Sequence, residues 1–196
     1  MPLWGTSDSD ESKPKNLTTA EKKEVYATNS GWVREAGSIL SGNGNTDADP
    51  EVLVAVSGLA DSIGAADVTE VEWITTTADK SEGFTLSVRV RYNEEVTVTG
   101  SPTIAVTNGN QGSGSGRGPH TLVDASGTGT NELVFSLAIA AANAATNAND
   151  VLSIGAQNIL KPGGATLKDT ADGTTDAAVA ISGAQGTAAG TLTVTA

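Results

Sequence analysis

Residues 83–106 read GFTLSVRVRYNEEVTVTGSPTIAV, and the fold turns on how this stretch is divided. Phe84, Leu86, Val88, Val90 and Tyr92 alternate with Thr85, Ser87, Arg89 and Arg91. A period of two places the first set on one face of a strand and the second set on the other. Asn93, Glu94 and Glu95 interrupt the pattern, and it resumes at Val96. The interruption reads as a polar turn at a strand end. Gly100-Ser101-Pro102 reads as a second turn, leading into another short strand. Adjacent strand residues face opposite ways, so Glu94 and Glu95 are expected to diverge into solvent rather than converge as an acid/base pair.

A second clean alternation lies at Leu133, Phe135, Leu137 and Ile139. Together with Phe84, Leu86, Val88 and Val90 these residues are the expected core. Weaker strand patterns occur at 25–28 and 32–35 around Asn29-Ser30-Gly31, at 51–56, from 68, at 120–126, from 151, at 177–181 and at the C-terminal GTLTVTA. Residues 17–24 suit one or two helical turns, with Thr18 and Glu21 spaced as a capping box. The stretches 37–50, 57–67, 108–120 and the segment before 177 read as loops. Many short strands separated by turns imply an all-β, Greek-key sandwich. The expected organisation is an N-terminal arm with a small β-rich anchoring segment over 1–66, followed by the sandwich over 67–196.

Composition narrows the function. The chain has 196 residues and a formal net charge of −12, which repels nucleic acid and anionic membrane surfaces. Seven aromatic residues are few, and suit a thin core between sheets better than a large enzyme core. There is no cysteine, which removes one argument for secretion. The opening MPLWGTSDSDESKPK has neither the basic nor the apolar region of a signal peptide, so folding in the cytosol is expected.

Few residues carry chemistry. His120 is the only histidine and follows a Gly/Ser-rich loop, with no nucleophile motif near it. One histidine and no cysteine argue against a zinc site, and no catalytic residue is assigned. Asp169, Asp172 and Asp176 in DTADGTTD surround a glycine turn, which reads either as an acidic solvated loop or as oxygen ligands for calcium. The spacing is not that of an EF-hand, and no other cofactor is expected. Leu3 and Trp4 are apolar, and acidic sequence and Pro14 separate them from the rest. They are the foremost candidates for contact with a partner protein, with Lys13, Lys15, Tyr26 and Trp32 beside them.

The order of these segments resembles the bacterial and phage Ig-like repeat of adhesins and virion proteins. FTLSVRVRYNEEVTVTGSPTIAV, HTLVDASGTGTNELVFSLAI, DVLSIGAQNIL and GGATLKDTADG follow one another as in that family, over about residues 68–183. An acidic element that precedes the LSI-like strand in the family is replaced here by ATNAND at 145–150. Residues 1–56, with MPLWGTSDSDESKPK, VYATNSGWVREAG and PEVLVAV, are similar to small virion structural proteins of marine tailed phages. The resemblance implies an Ig-like sandwich in a non-enzymatic virion protein, assembled in the host cytoplasm. It implies a head decoration protein first, and a tail or neck protein as the alternative. The implied partners are the major capsid protein or other virion proteins, with a homo-oligomer as a further option. A third reading is an adhesin-type module for a host-surface glycan or cell, although the single copy disfavours it.

Overall fold

A computed structural model describes residues 13–196 apart from 15, 39, 41, 43, 110–117 and 143–145. The described elements, in chain order, are α1 (Thr19–Lys23), β1 (Val25–Thr28), β2 (Gly31–Arg34), β3 (Glu51–Ala55), α2 (Leu59–Ile63), β4 (Val68–Trp73) and β5 (Ala78–Asp79). Next come β6 (Gly83–Thr99), β7 (Thr103–Asn108), β8 (His120–Ser126) and β9 (Thr130–Ala140). The chain ends with β10 (Val151–Ser153), β11 (Gln157–Asn158), β12 (Thr166–Asp169), β13 (Ala180–Ile181), α3 (Gly183–Ala189) and β14 (Thr191–Thr195). The protein is all-β in class, and its longest described helix, α3, has seven residues.

Strand β6 is the spine. It pairs antiparallel with β9 over Gly83↔Ala140 to Arg91↔Glu132, with β4 over Val68↔Tyr92 to Trp73↔Val88, and with β12 over Val96↔Asp169 to Thr99↔Thr166. From β9 the sheet continues through β8, β7, β10 and β14 to β5. Leu86, Val90, Leu133 and Phe135 near the start of that path share one apolar core with Leu152, Leu192 and Val194 near its end. The sheet therefore curls until its far strands face its near ones, which gives the sandwich-like arrangement. Of the eight expected core residues, six are buried; Phe84 and Leu137 pack against the rim of the same core.

The polar interruption at 93–95 is not a turn. β6 runs unbroken through it as a 17-residue strand. Between Arg91↔Glu132 and Val96↔Thr130, β9 advances two residues while β6 advances five. The three extra residues form a bulge in β6, across which the even positions stay buried. Neighbouring segments hold the bulge. Asn93 N–H donates to Asp67 O at 3.0 Å, and Asp67 N–H donates to Asn93 Oδ1 at 2.6 Å. Thr170 N–H donates to Glu95 O at 3.0 Å.

The N-terminal elements form a small second layer. β1 and β2 make the hairpin expected around Asn29-Ser30-Gly31, and β3 adds to β2. Val25, Ala27, Trp32 and Leu59 form a separate apolar cluster, flanked by Leu17, Leu53, Val54, Val56 and Ile63. A single parallel bridge, Ala27↔Glu94, joins this unit to the bulge of β6. At α1 both halves of the Thr18–Glu21 capping box are formed. The expected loop at 57–67 instead contains α2. The expected loop before 177 contains β12, and its closing strand shortens to β13.

Gly31 has φ +128°, and a Cβ there would lie 2.0 Å from Val54 O. Gly31→Ala is therefore expected to break the β2–β3 pairing, lowering the protection of β3 amides from hydrogen exchange while leaving β9 protected. Phe135 is fully buried at the centre of the sandwich. Phe135→Ala should cost about 3–5 kcal/mol in denaturant unfolding. An unchanged midpoint would show that the strand faces are misassigned.

Candidate functional site

Two sites arise from the way β6 alternates and then bulges. The first is on its outward face. Arg89 and Arg91 project away from the core, and the sheet places Glu72 of β4 and Glu132 of β9 beside them. Arg89 pairs with Glu72 at 3.1 Å and with Glu132 at 3.3 Å. Arg91 pairs with Glu72 at 3.3 Å and with Glu132 at 2.5 Å. The latter is an ion pair without hydrogen-bond alignment at Glu132 Oε1.

The N-terminal layer closes over Arg91, leaving it 5% exposed. Arg91 Nη1 donates to Glu35 Oε2 at 2.8 Å and to the carbonyl of Lys23 at 3.0 Å. Lys23 pairs with Glu70 on β4, a second tie between the layers. Burial pushes the Glu35 carboxyl up, with Arg91 opposing and Glu132 adding to the rise. Lys13 sits at the edge of this junction and donates to Lys22 O at 2.6 Å. Burial, and then the Arg91 charge, lower its pKa to about 8.

The second site is the bulge. Glu94 is 1% exposed, and neither carboxylate oxygen has a hydrogen-bond partner. This corrects the expectation of a solvated strand end. The strand continues through this point and Glu94 shares the inward parity of Tyr92 and Val96, and both Glu94 and Glu95 line one cleft of about 230 Å³ with Thr28, Asn29, Ala60 and Asp169. A second cleft of about 260 Å³ shares Ala60, Asp169 and Ala171 with the first and adds Asp61 and Asp172. No lysine or arginine lines either cleft. Burial, followed by the charges of Asp169, Asp67, Asp172 and Asp61, pushes the Glu94 carboxyl up to about 8.

The expected calcium ligands do not converge on one point. Asp169 is buried and accepts from Ala171 N–H at 2.8 Å. Asp172 accepts from the N–H groups of Thr174 and Thr175, both at 2.8 Å, and these bonds with the Thr175 hydroxyl hold it far below the usual carboxylate range. Asp176 pairs with Lys168 at 2.8 Å. Among the described residues no three acidic or histidine side chains form a ready-made metal cage.

The other expected contacts divide three ways. Leu3, Trp4 and Lys15 lie outside the described residues. Tyr26 and Trp32 are 5% and 1% exposed, so their apolar surface is used within the chain. Lys13 is half-buried at the layer junction. His120 is buried, 3.4 Å from Thr146 Oγ1, and burial lowers its pKa against the opposing charge of Asp150. No helix among the described residues is long and apolar enough to cross a membrane.

The bulge predicts a pH dependence. Glu94 takes up a proton more readily folded than unfolded, so the folded state binds more protons between about 4.5 and 8. The contribution is fully present below the unfolded value and is lost as pH rises through about 8. Glu94→Gln should stabilise the protein at pH 9 by about 1–3 kcal/mol, the usual cost of a buried unsatisfied polar group. It should also flatten the decline in denaturant stability between pH 5 and pH 9. A variant with the wild-type slope would show that Glu94 is not the group responsible.

Comparison with protein-family models, with curated proteins and with solved structures finds no match for this chain.

Proposed function

We propose that the protein is a non-enzymatic structural protein of a tailed-phage virion, with its C-terminal part an Ig-like Greek-key sandwich. Head decoration is the first placement; a tail or neck position is the alternative. The observation that carries this reading is the order of motifs over 68–183 together with the MPLWGTSDSDESKPK opening. Two further features support it. The chain is all-β around one core, with a second small layer on its outward face. Its net charge of −12 suits a surface that must not aggregate at high copy number.

The N-terminal layer spends Trp32 on its own cluster, and Tyr26 is buried beside Glu35 and Arg91. Leu3 and Trp4 precede that layer in sequence and are the proposed anchors to the capsid or another virion protein. Removing the whole of 1–56 would uncover Arg91, so the informative truncation is shorter.

The test is add-back to particles lacking this protein. The full chain should bind. A chain lacking residues 1–12 should bind much more weakly, and Trp4→Ala should lose about 2 kcal/mol or more, as a central aromatic contact does. Both variants should unfold at the wild-type denaturant concentration. Equal binding of all three would place the anchor elsewhere. Failure of the protein to co-purify with any virion would overturn the reading as a whole.

A further inference from the structure

We infer that the cleft at the β6 bulge is a binding site for a hard divalent cation, calcium or magnesium, with Glu94 as its anchoring ligand. The inference is independent of the virion reading. It rests first on a carboxylate in an unusual position. Glu94 is 1% exposed, with neither oxygen partnered. Buried carboxylates are ordinarily paired or metal-bound, because burying a charge without compensation is costly. Here the neighbouring segments supply no cation. Strand β12 and its following loop bring Asp169 and Asp172, and α2 with the segment after it brings Asp61 and Asp67. All are acidic, and the cleft has no basic lining.

The second observation is the cleft itself. Its volume of about 230 Å³ exceeds what a single ion and several waters need. Glu94, Glu95, Asp169, Thr28 and Asn29, all with oxygen-bearing side chains, are among the residues that line it. Asn29 Oδ1 accepts from Asp61 N–H at 3.3 Å at the exposed mouth of the cleft. Oxygen-only donors select hard cations over zinc or copper. No three-carboxylate cage exists among the described residues, so the ion would keep part of its water shell. Calcium does so flexibly and magnesium does so habitually, commonly with only one or two protein carboxylates.

The strand explains why the ligand is placed here. Glu94 has the inward parity of Tyr92 and Val96, and the three extra residues of the bulge set it beside the Ala27 bridge, next to β12. A cation there would tie three segments together: the β1–β2 turn, the bulge, and the turn after β12. That is a use for an inward acid which packing alone does not supply.

The experiment uses the full chain, freed of metal by chelation and dialysis. Equilibrium dialysis with calcium and, separately, with magnesium should give close to one bound ion per chain for at least one of them. The same ion should raise the midpoint of thermal unfolding by about 2 °C or more once its concentration is well above Kd. Glu94→Gln should fold, because it replaces an unpartnered carboxylate with a neutral group of the same shape. It should lose at least tenfold in affinity and the thermal shift with it. Asp176→Asn, whose partner is Lys168, should bind like wild type. If Glu94→Gln does not fold, Asp169→Asn decides by the same dialysis, and wild-type affinity in that variant overturns the site. No binding of either ion to wild type, or binding unchanged in Glu94→Gln, overturns it equally, and leaves Glu94 a carboxylic acid that holds only a proton.

Discussion

The arrangement of this protein depends on one buried guanidinium. Arg91 lies on the polar side of β6, where the alternation of the strand puts it, yet it is almost wholly covered. The cover is the N-terminal layer, and the partners span both layers: Glu72 and Glu132 from the sheet, Glu35 and the Lys23 carbonyl from the cover. Desolvating a guanidinium is costly, and removing one partner of a buried pair commonly costs about 3–5 kcal/mol. Several carboxylates around one guanidinium offset that cost here. The five donors of arginine, held in a planar fork, suit such a hub in a way lysine would not. The outward face of the sandwich is thus fitted to this cover, with buried Tyr26 beside Arg91 at the junction.

Next to that junction the same strand makes a second departure from regularity. Burial alternates from Leu86 through Val96 on the even positions, so Tyr92 and Glu94 both lie on the core-facing side, and Arg91 is the one odd position that is covered as well. Tyr92 resolves its polar end by donating its hydroxyl to Ala178 O at 3.1 Å. Glu94 has no such partner among the described residues. Two residues of opposite charge are therefore buried three positions apart, one compensated by many groups and one by none. The contrast makes the bulge, rather than the loops, the chemically unusual part of the molecule.

The sequence made much of the sandwich legible, for physical reasons. Period-two runs at 84–92 and 133–139 announce strands with one buried face, and they pair in register as Phe84↔Ile139 to Val90↔Leu133. The Asn-Ser-Gly hairpin was equally open to reading, because Gly31 takes a backbone conformation that side chains resist. The bulge was not legible. A run of Asn93, Glu94 and Glu95 looks the same in a turn as in a strand whose neighbours hydrogen-bond around it. Strand β12, TLKD, hid among threonine, glycine and aspartate, since its identity comes from pairing with β6 rather than from its own pattern. Helix α3 hid because GAQGTAA carries two glycines, which weaken a helix. Its one signal was Ser182 followed by Gln185, a capping box that the structure forms in full. Tyr26 and Trp32 read as candidates for partner contact, yet the fold buries Trp32 in the hairpin's own cluster and Tyr26 beside Arg91.

The direct measurement of the joint is residue-resolved native-state hydrogen exchange on wild type and Arg91→Met. Methionine keeps most of the aliphatic volume and removes the charge. If Arg91 fastens the N-terminal layer to the sandwich, amides of β1 and β2 should lose protection by several kcal/mol in the variant, in line with a broken buried ion pair. Amides of β9 and β14 should change far less. Protection of β1 and β2 at the wild-type level in Arg91→Met would contradict this, and would mean that the layer is held by its own cluster and the Ala27–Glu94 bridge alone.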